Sequence, residues 1–450
     1  MKIYNSLTNK LEDFKQIKPG EVSMYVCGST VYNDIHIGNS RPVVFFDVVV
    51  RFFKYLGNKV YFVTNFTDID DKIIKKAMQE GVEESVISER YIKSIMKTYD
   101  MLNCQKAYKY PKVTETMDDI IEFIEQLVEK GGAYVVDHDV YFDITKADHY
   151  GILSNQTVAE LINGARIEAN SKKKNPCDFN LWKQTEFGKK WDSPWGEGRP
   201  GWHTECVVMI RDIFKSMIDI HGGGMDLKFP HHDNEIAQST VVDHTNIANY
   251  WVHNGRVDIN GKKMSKSLGN VIWAKDLVEK IGYGPYRLLL LNVPYRQPMN
   301  YNEEMLSQAQ GDYEKMTNIK NTLANKLQLE AGIVDYTTKL QEDSICALEH
   351  EFISAMSDDF NTANAITVIY QTMKMMNRIV RQKVLNVEET KEILTLLDKE
   401  MWVLGIEFTH YPLSPADIEL VKAWEKARAD KDFKKADQLR QNIIEKDIKI

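Results

Sequence analysis

Two apolar, β-branched runs, VSMYVC over 22–27 and KVYFVT over 59–64, bracket a segment from Ser40 to Leu56 that has the length and composition of a helix. That order predicts a strand, helix, strand unit. MIDIH over 217–221 and YWVH over 250–253 repeat it around a second helix expected to begin near His231. Strands separated by helices lie parallel in a sheet covered on both faces. The fold class is therefore α/β, with a Rossmann-like parallel-sheet catalytic domain, and ligands are expected beyond the C-terminal ends of the strands.

With 450 residues the chain exceeds one ordinary core. Between the two halves of the sheet the texture changes. A helical stretch over 116–130 leads to a hairpin from Tyr134 to Phe142 with a DHD turn, then to the polar run NGARIEANSKKKNPCD. This reads as an insertion in the catalytic domain. Past residue 303 strand signals fade into long helical patterns, with Asp358, Asp359, Asn361 and Thr362 offering helix-starting side chains. In the tail Val421, Trp424, Ala427, Phe433, Ala436, Leu439 and Ile443 recur at helix-like spacing. The expected divisions are 1–115 and 201–250 for the two halves of the catalytic domain and 116–200 for the insertion. A region over 251–302 follows, then an all-α bundle over 303–405 and a small C-terminal region over 406–450.

A net charge of −8 argues against nonspecific nucleic-acid binding over the whole surface, which needs many cations on phosphates. A nucleic-acid partner would be held by local patches such as Lys172–Lys174 or Lys262–Lys266. The stretch from Ser414 carries nine Lys and Arg against eight Asp and Glu, so recognition there depends on arrangement on a face. The N-terminal MKIYNSLTNKLEDF has no apolar run of signal-peptide type, and the most apolar stretch, Val43–Val50, is interrupted by Asp47. A cytoplasmic chain without membrane association is expected. Five widely spaced cysteines make a disulfide framework improbable. Cys104, Cys177 and Cys346 read as core residues.

TVYNDIHIGNSR, Thr30 to Arg41, follows the first strand and enters the first helix, which puts His36 and nearby backbone amides at an anion-binding helix end. Much later a polar loop, Lys262-Lys263-Met264-Ser265-Lys266-Ser267-Leu268-Gly269-Asn270, gathers cations and hydroxyls that can fold over a triphosphate. Gly222, Gly223 and Gly224 follow a strand, where absent side chains admit a nucleotide, and Asp226 can accept from ribose hydroxyls. His231 and Glu235, four apart at a helix start, share one face, and Cys27 and Cys206 each lie near a strand end. Two thiolates, an imidazole and a carboxylate make a plausible zinc set. His232, three residues from Glu235, is the alternative to His231.

The two loops in this order resemble the HIGH and KMSKS signatures of class I aminoacyl-tRNA synthetases. MYVCGSTVY (24–32), NFTDIDDKI (65–73), GRPGWHTEC (198–206), HGGGMDLKFPHHDNE (221–235) and DDFNTA (358–363) narrow the resemblance to the cysteinyl-tRNA synthetase family, over nearly the whole chain. The resemblance implies one zinc ion per subunit on Cys27, Cys206, His231 and Glu235, with His231 preferred to His232. It also implies Mg²⁺ with ATP, L-cysteine and its tRNA as partners, and a monomer. Gly28, Thr30, Trp202 and His203 would contact the amino acid, and His36, Asn39, Gly222 to Gly224, Asp226 and Lys266 the nucleotide. Residues 251–302 would be the stem-contact region and 406–450 the anticodon-binding region.

By this resemblance the cysteine carboxylate attacks the α-phosphate of ATP, and the terminal ribose hydroxyl of tRNA then takes the cysteinyl group. His36 and Lys266 would stabilise the developing phosphate charge while Lys263 and Ser265 to Ser267 close over the leaving group. Cysteine and serine differ by one atom, and size alone discriminates by only about 1 to 3 kcal/mol. Ten-thousand-fold rejection needs roughly 5.5 kcal/mol, which a soft metal favouring sulfur can supply. Two departures stand out: Asn39 replaces the second histidine of the first signature, and Met225 replaces a small polar residue. Two other readings are an enzyme that passes cysteine to an amino sugar, opposed by residues 303–450, and a noncatalytic zinc-containing tRNA-binding relative, opposed by His36 and Lys263 to Ser267.

Overall fold

VSMYVC forms an interior strand, Glu21–Val26, of a four-stranded, all-parallel sheet in the computed structural model, which describes residues 1–157, 160, 172–264 and 269–450. The strand order is Ala248–Asn254, Ile218–Gly224, Glu21–Val26, Lys59–Thr64. From Glu21–Val26 the chain first crosses to one side and much later returns to the other, so a topological switch point opens between Glu21–Val26 and Ile218–Gly224. Ligands of such sheets bind at that point.

The helix after the first strand runs Ile37–Tyr55 and not from Ser40. His36 caps it, and Asn39 reciprocates with its side chain, which adds a turn ahead of the predicted start. Pro42 lies inside this helix, past the four amides that lack intrahelical partners, so it removes the bond that an amide there would give to Gly38 O. Val44, Phe45, Phe46, Val48, Val49, Phe52 and Phe53 are all buried, as expected of a helix that is apolar nearly all round.

The inserted segment carries more strand than its sequence suggests. The hairpin Ala133–Val136 and Asp139–Phe142 is extended by Phe179–Gln184 and Gly198–Pro200 into a four-stranded antiparallel sheet. Phe142 and Phe179 stack across it at 4.9 Å. Buried Asp178 accepts from Tyr134 Oη at 2.7 Å, Asn175 N at 2.9 Å and Ile144 N at 3.1 Å, so its charge is met by three donors.

Two compact units emerge: Met1–Lys280 with Tyr295–Tyr301, and Ile281–Pro294 with Asn302–Ile450. The second is helical: Tyr283–Leu291, Glu303–Ala331, Asp343–Ser357, Thr362–Val380, Val387–Val403, Pro415–Ala429 and Phe433–Glu445. Asn302, Asn361, Asn386, Ser414 and Asp432 each cap one of these helices by accepting a first-turn amide. Asp358 and Asp359 instead lie in the turn before Asn361, where Asp359 adopts a φ of 59°. Among the described residues no helix is long and apolar enough to cross a membrane.

Candidate metal centre and active site

Cys27 leaves the interior strand with its N–H donating to Gly222 O at 3.1 Å, which fixes it at the switch point. The next residue must be glycine: a Cβ on Gly28 would collide with the Asn65 carbonyl, while its N–H donates to Asn65 Oδ1 at 2.8 Å. A cleft of about 300 Å³ opens here, lined by Cys27, Gly28, Thr30, His36, Asn39, Trp202, Gly224 and Asp226 among others. That lies at the lower end of small-molecule sites, about 300–1,000 Å³.

Cys206 comes from the helix Glu205–Phe214, and Glu235 from the helix Asp233–Asp243, which follows a turn carrying His231 and His232. Cys27 Sγ is 3.6 Å from Cys206 Sγ and 3.6 Å from Glu235 Oε1. His231 Nε2 is 3.6 Å from Cys206 Sγ and 2.8 Å from Glu235 Oε1. All four donor atoms lie within 4.8 Å of one another, and all but Cys27 belong to buried residues. Tetrahedral zinc with Zn–S near 2.3 Å requires thiolates about 3.8 Å apart. The donor chemistry and the sulfur spacing fit zinc, and the 2.8 Å His231–Glu235 pair would open to about 3.3 Å around the ion.

The surroundings orient these donors. His221 Nε2 meets the other carboxylate oxygen, Glu235 Oε2, at 2.6 Å, and His203 Nδ1 meets His231 Nδ1 at 3.1 Å. Trp202 stacks on His231 with centroids 4.5 Å apart. Burial opposes charge on Glu235, but His221 and His231 more than offset it and hold the carboxyl well below its ordinary range. Burial likewise opposes ionisation of Cys206, yet Cys27 and His231 bring its thiol down to about 6. Burial, then Cys206 and Glu235, pushes the Cys27 thiol well up. On His231 burial is outweighed by Glu235 and Cys206, which raise its pKa. Without a metal the site thus holds negative charge on Glu235 and Cys206 against positive charge on His231.

Several expected contacts fall elsewhere. Gly222 and Gly223 are buried and do not line the cleft. A Cβ at Gly222 would strike the Phe46 ring, and one at Gly223 would come within 2.9 Å of Leu227 Cδ1, so these glycines serve packing, and only Gly224 reaches the cavity. His203 stands behind His231 and outside the cleft wall; burial and the neighbouring His231 hold its pKa down to about 3. Cys104, read as core, is part of the cavity lining. His221 and Glu205 had no signal of their own. The latter, buried beside Cys206, is bound by Thr67 Oγ1 at 2.6 Å.

Ser265, Lys266 and Ser267 lie outside the described residues, as does the side chain of Lys263. Both flanks of their loop meet the start of the Ile37–Tyr55 helix: Ile37 N donates to Ile272 O at 2.9 Å, Ala274 N donates to Ile35 O at 3.0 Å, and a Cβ on Gly38 would sit 2.9 Å from Met264 Cε.

Residues 13–311 match the tRNA synthetases class I (C) catalytic domain, and residues 351–409 match the DALR domain. The cysteine–tRNA ligase of Anoxybacillus flavithermus is 43% identical over 454 residues, covering 100% of this chain and 97% of that protein. That of Staphylococcus aureus is 44% identical over 455 residues, covering 99% and 97%. Among solved structures, Mycobacterium tuberculosis methionyl-tRNA synthetase in complex with methionyl-adenylate shares the fold, with a TM-score of 0.63 at 14% identity over 85% of this chain and 89% of its own. On the full-length identity and the matched catalytic domain together, the chain belongs to the cysteine–tRNA ligase family of class I aminoacyl-tRNA synthetases.

Proposed function

We propose that this chain activates L-cysteine with ATP, forming cysteinyl adenylate and pyrophosphate, and transfers the cysteinyl group to the 3′ end of the tRNA for cysteine, releasing AMP. The observation that carries this reading is the quartet Cys27, Cys206, His231 and Glu235 at the wall of a cleft that also holds the His36 helix start. Zinc on those donors supplies a soft Lewis acid that favours sulfur over a hydroxyl and so separates cysteine from serine.

The remaining work falls to the chain's own groups. Ile37 N–H is taken by Ile272 O and Asn39 N–H by His36, so Gly38, which lines the cleft, keeps its amide for a phosphate oxygen at the positive end of the helix. His36 adds its ring, and Lys266 its charge, where negative charge develops on the phosphate. Mg²⁺ accompanies ATP, and Lys263 closes over the pyrophosphate. Asp226 accepts from the ribose, and Gly28, Thr30 and Trp202 enclose the amino acid. No side chain acts as nucleophile: the substrate carboxylate attacks, and positioning supplies the rate.

Residues 251–302 contact the acceptor stem in this reading, 303–405 form the supporting bundle and 406–450 read the anticodon. The enzyme works as a cytoplasmic monomer. Cysteine-dependent ATP–pyrophosphate exchange, run against serine and after zinc removal, tests the activation step. Exchange with cysteine alone and its loss on zinc removal are expected; no exchange from folded, zinc-loaded protein would favour the noncatalytic tRNA-binding reading.

A further inference from the structure

In the proposed function the cleft receives two phosphate-bearing partners in succession, ATP and the tRNA 3′ end. The chain supplies cations for them after strands at opposite edges of the sheet. The Lys-Ser loop of residues 262–270 comes after Ala248–Asn254 at one edge, while Lys72 stands on the helix Asp71–Glu80, which follows Lys59–Thr64 at the other. Among the described residues that line the cleft, Lys72 is the one lysine or arginine. Asp34, Asp47 and Asp226 line it too, and none of them is paired with Lys72.

Lys72 is positioned yet left available. Asp70 Oδ1 caps the helix by accepting from Lys72 N at 2.7 Å, and Lys72 Nζ lies 5.5 Å from the centre of the Tyr32 ring, within cation–π reach. The segment that carries this ring is pinned in turn. Val31 N donates to Thr67 O at 3.2 Å, Lys76 Nζ donates to Tyr32 O at 3.1 Å, and Ser94 Oγ donates to Asp34. Neighbouring cations are committed: Lys76 also donates to Tyr91 Oη at 2.5 Å, and Arg199 and Lys183 pair with Asp71. Lys72 is exposed, and its Nζ has no hydrogen-bond or ion-pair partner among the described residues.

We propose that Lys72 binds the last phosphodiester of the tRNA 3′ end and so places the terminal ribose hydroxyl against the cysteinyl adenylate. Thr30, which encloses the amino acid in the proposed function, is bridged to Thr67 and stands just before the Tyr32 segment, so Lys72 is tied to the amino-acid end of the cleft. The reacting hydroxyl and the last phosphodiester belong to one nucleotide. A cation at that end therefore meets the phosphate when the hydroxyl meets the adenylate carbonyl. A lysine ammonium is a compact point charge that suits a phosphate oxygen. Lys72 takes no part in bond making. The inference rests on the ligase reading above.

The test compares the full-length chain with Lys72→Met, which keeps the aliphatic stem and removes the charge. Cysteine-dependent ATP–pyrophosphate exchange is expected to change by less than about twofold, since the contact is made only with tRNA, and this also reports that the variant is folded. The kcat/KM for the tRNA for cysteine should fall about tenfold to hundredfold, the scale of one lost charge-assisted hydrogen bond. A transcript of that tRNA lacking its 3′-terminal nucleotides should bind both proteins equally. Exchange that falls as far as kcat/KM would assign Lys72 to ATP or cysteine and overturn the proposal. An unchanged kcat/KM, or weaker binding of the shortened transcript by Lys72→Met, would overturn it too. Should the native chain, folded and zinc-loaded, show neither exchange nor aminoacylation, the ligase reading fails, and binding of intact against shortened transcript decides Lys72 separately. A preference for the intact 3′ end that Lys72→Met loses supports the contact; a preference that it keeps, or none in the native chain, overturns it.

Discussion

His36 and Asn39 close a reciprocal hydrogen-bonded cap at the mouth of the cleft: Asn39 N donates to His36 Nδ1 at 3.1 Å, and His36 N donates to Asn39 Oδ1 at 3.4 Å. Asparagine at a position where the family's first signature ends in histidine is thus tied into the helix start. Its Oδ1 is committed to the cap, and its amide NH₂ remains for an anion in the cavity it lines. The substitution exchanges a potential cation for a neutral donor and keeps the cap.

Asn39→His should therefore speed adenylate formation. A neutral hydrogen bond contributes about 0.5–1.5 kcal/mol and a charged one about 1.5–3, so the gain is about 1 kcal/mol, or about fivefold in rate. Single-turnover formation of cysteinyl adenylate measures it. An unchanged or slower rate would show that the cap, and not phosphate contact, is the function of position 39.

Zinc affinity should fall steeply with acid. The Cys27 thiol and the His231 imidazole are both raised above their ordinary values, so both carry protons near neutrality that an incoming metal must displace, while Cys206 gains its proton only near 6. Each displaced proton costs about tenfold in affinity per pH unit. Competition with a chromophoric chelator between about pH 6.5 and 8 should give a slope above one decade per unit. A flat profile would mean that these groups are not ligands.

Where the sequence spoke clearly, local chemistry decided the structure. The β-branched runs at 22–27 and 59–64 became strands within a residue of their predicted ends, and the DHD turn made its hairpin. Strands Phe179–Gln184 and Gly198–Pro200 were not legible because they are short and their pairing partners lie far away along the chain or across a loop. The types of the four candidate donors and the spacing of His231 from Glu235 were legible in the sequence, whereas the choice of this set, with Cys27 and Cys206, came from the family resemblance. The orientation of the donors was not legible, since it depends on His221 and His203, which reach them only through the fold. The packing at Gly222 was not legible for the same reason: the group that crowds it is Phe46 from the first helix, far away along the chain.

Lys266→Ala is predicted to slow adenylate formation about 100- to 1,000-fold, the scale of one lost transition-state donor. Cysteine binding should change by less than about threefold, because a group that acts only on developing charge leaves ground-state binding alone. Rapid-quench rates beside equilibrium binding of cysteine separate the two. Equal loss in both would assign Lys266 to ground-state binding.

Glu400 carries the last prediction, in the helical unit. It is 1% exposed on the helix Val387–Val403, with Oε1 accepting from Thr372 Oγ1 at 3.2 Å and Oε2 buried without a partner. Burial raises its pKa well above the ordinary 4.5, outweighing the Thr372 hydrogen bond, with neighbouring Glu349 adding to the rise. The folded chain then holds a proton that the unfolded chain releases, so the stability contribution is fully present below the ordinary value and is lost as pH rises toward the folded pKa. The slope approaches about 1.4 kcal/mol per pH unit. Glu400→Gln keeps an oxygen for Thr372 and removes the ionisation. It should match the native chain near pH 5 and exceed it near pH 8, by up to about 4 kcal/mol at that slope over three pH units. Urea unfolding at both pH values measures the difference. A variant less stable at about pH 8 would mean that Glu400 is ionised in the folded protein and held by a partner that glutamine cannot replace.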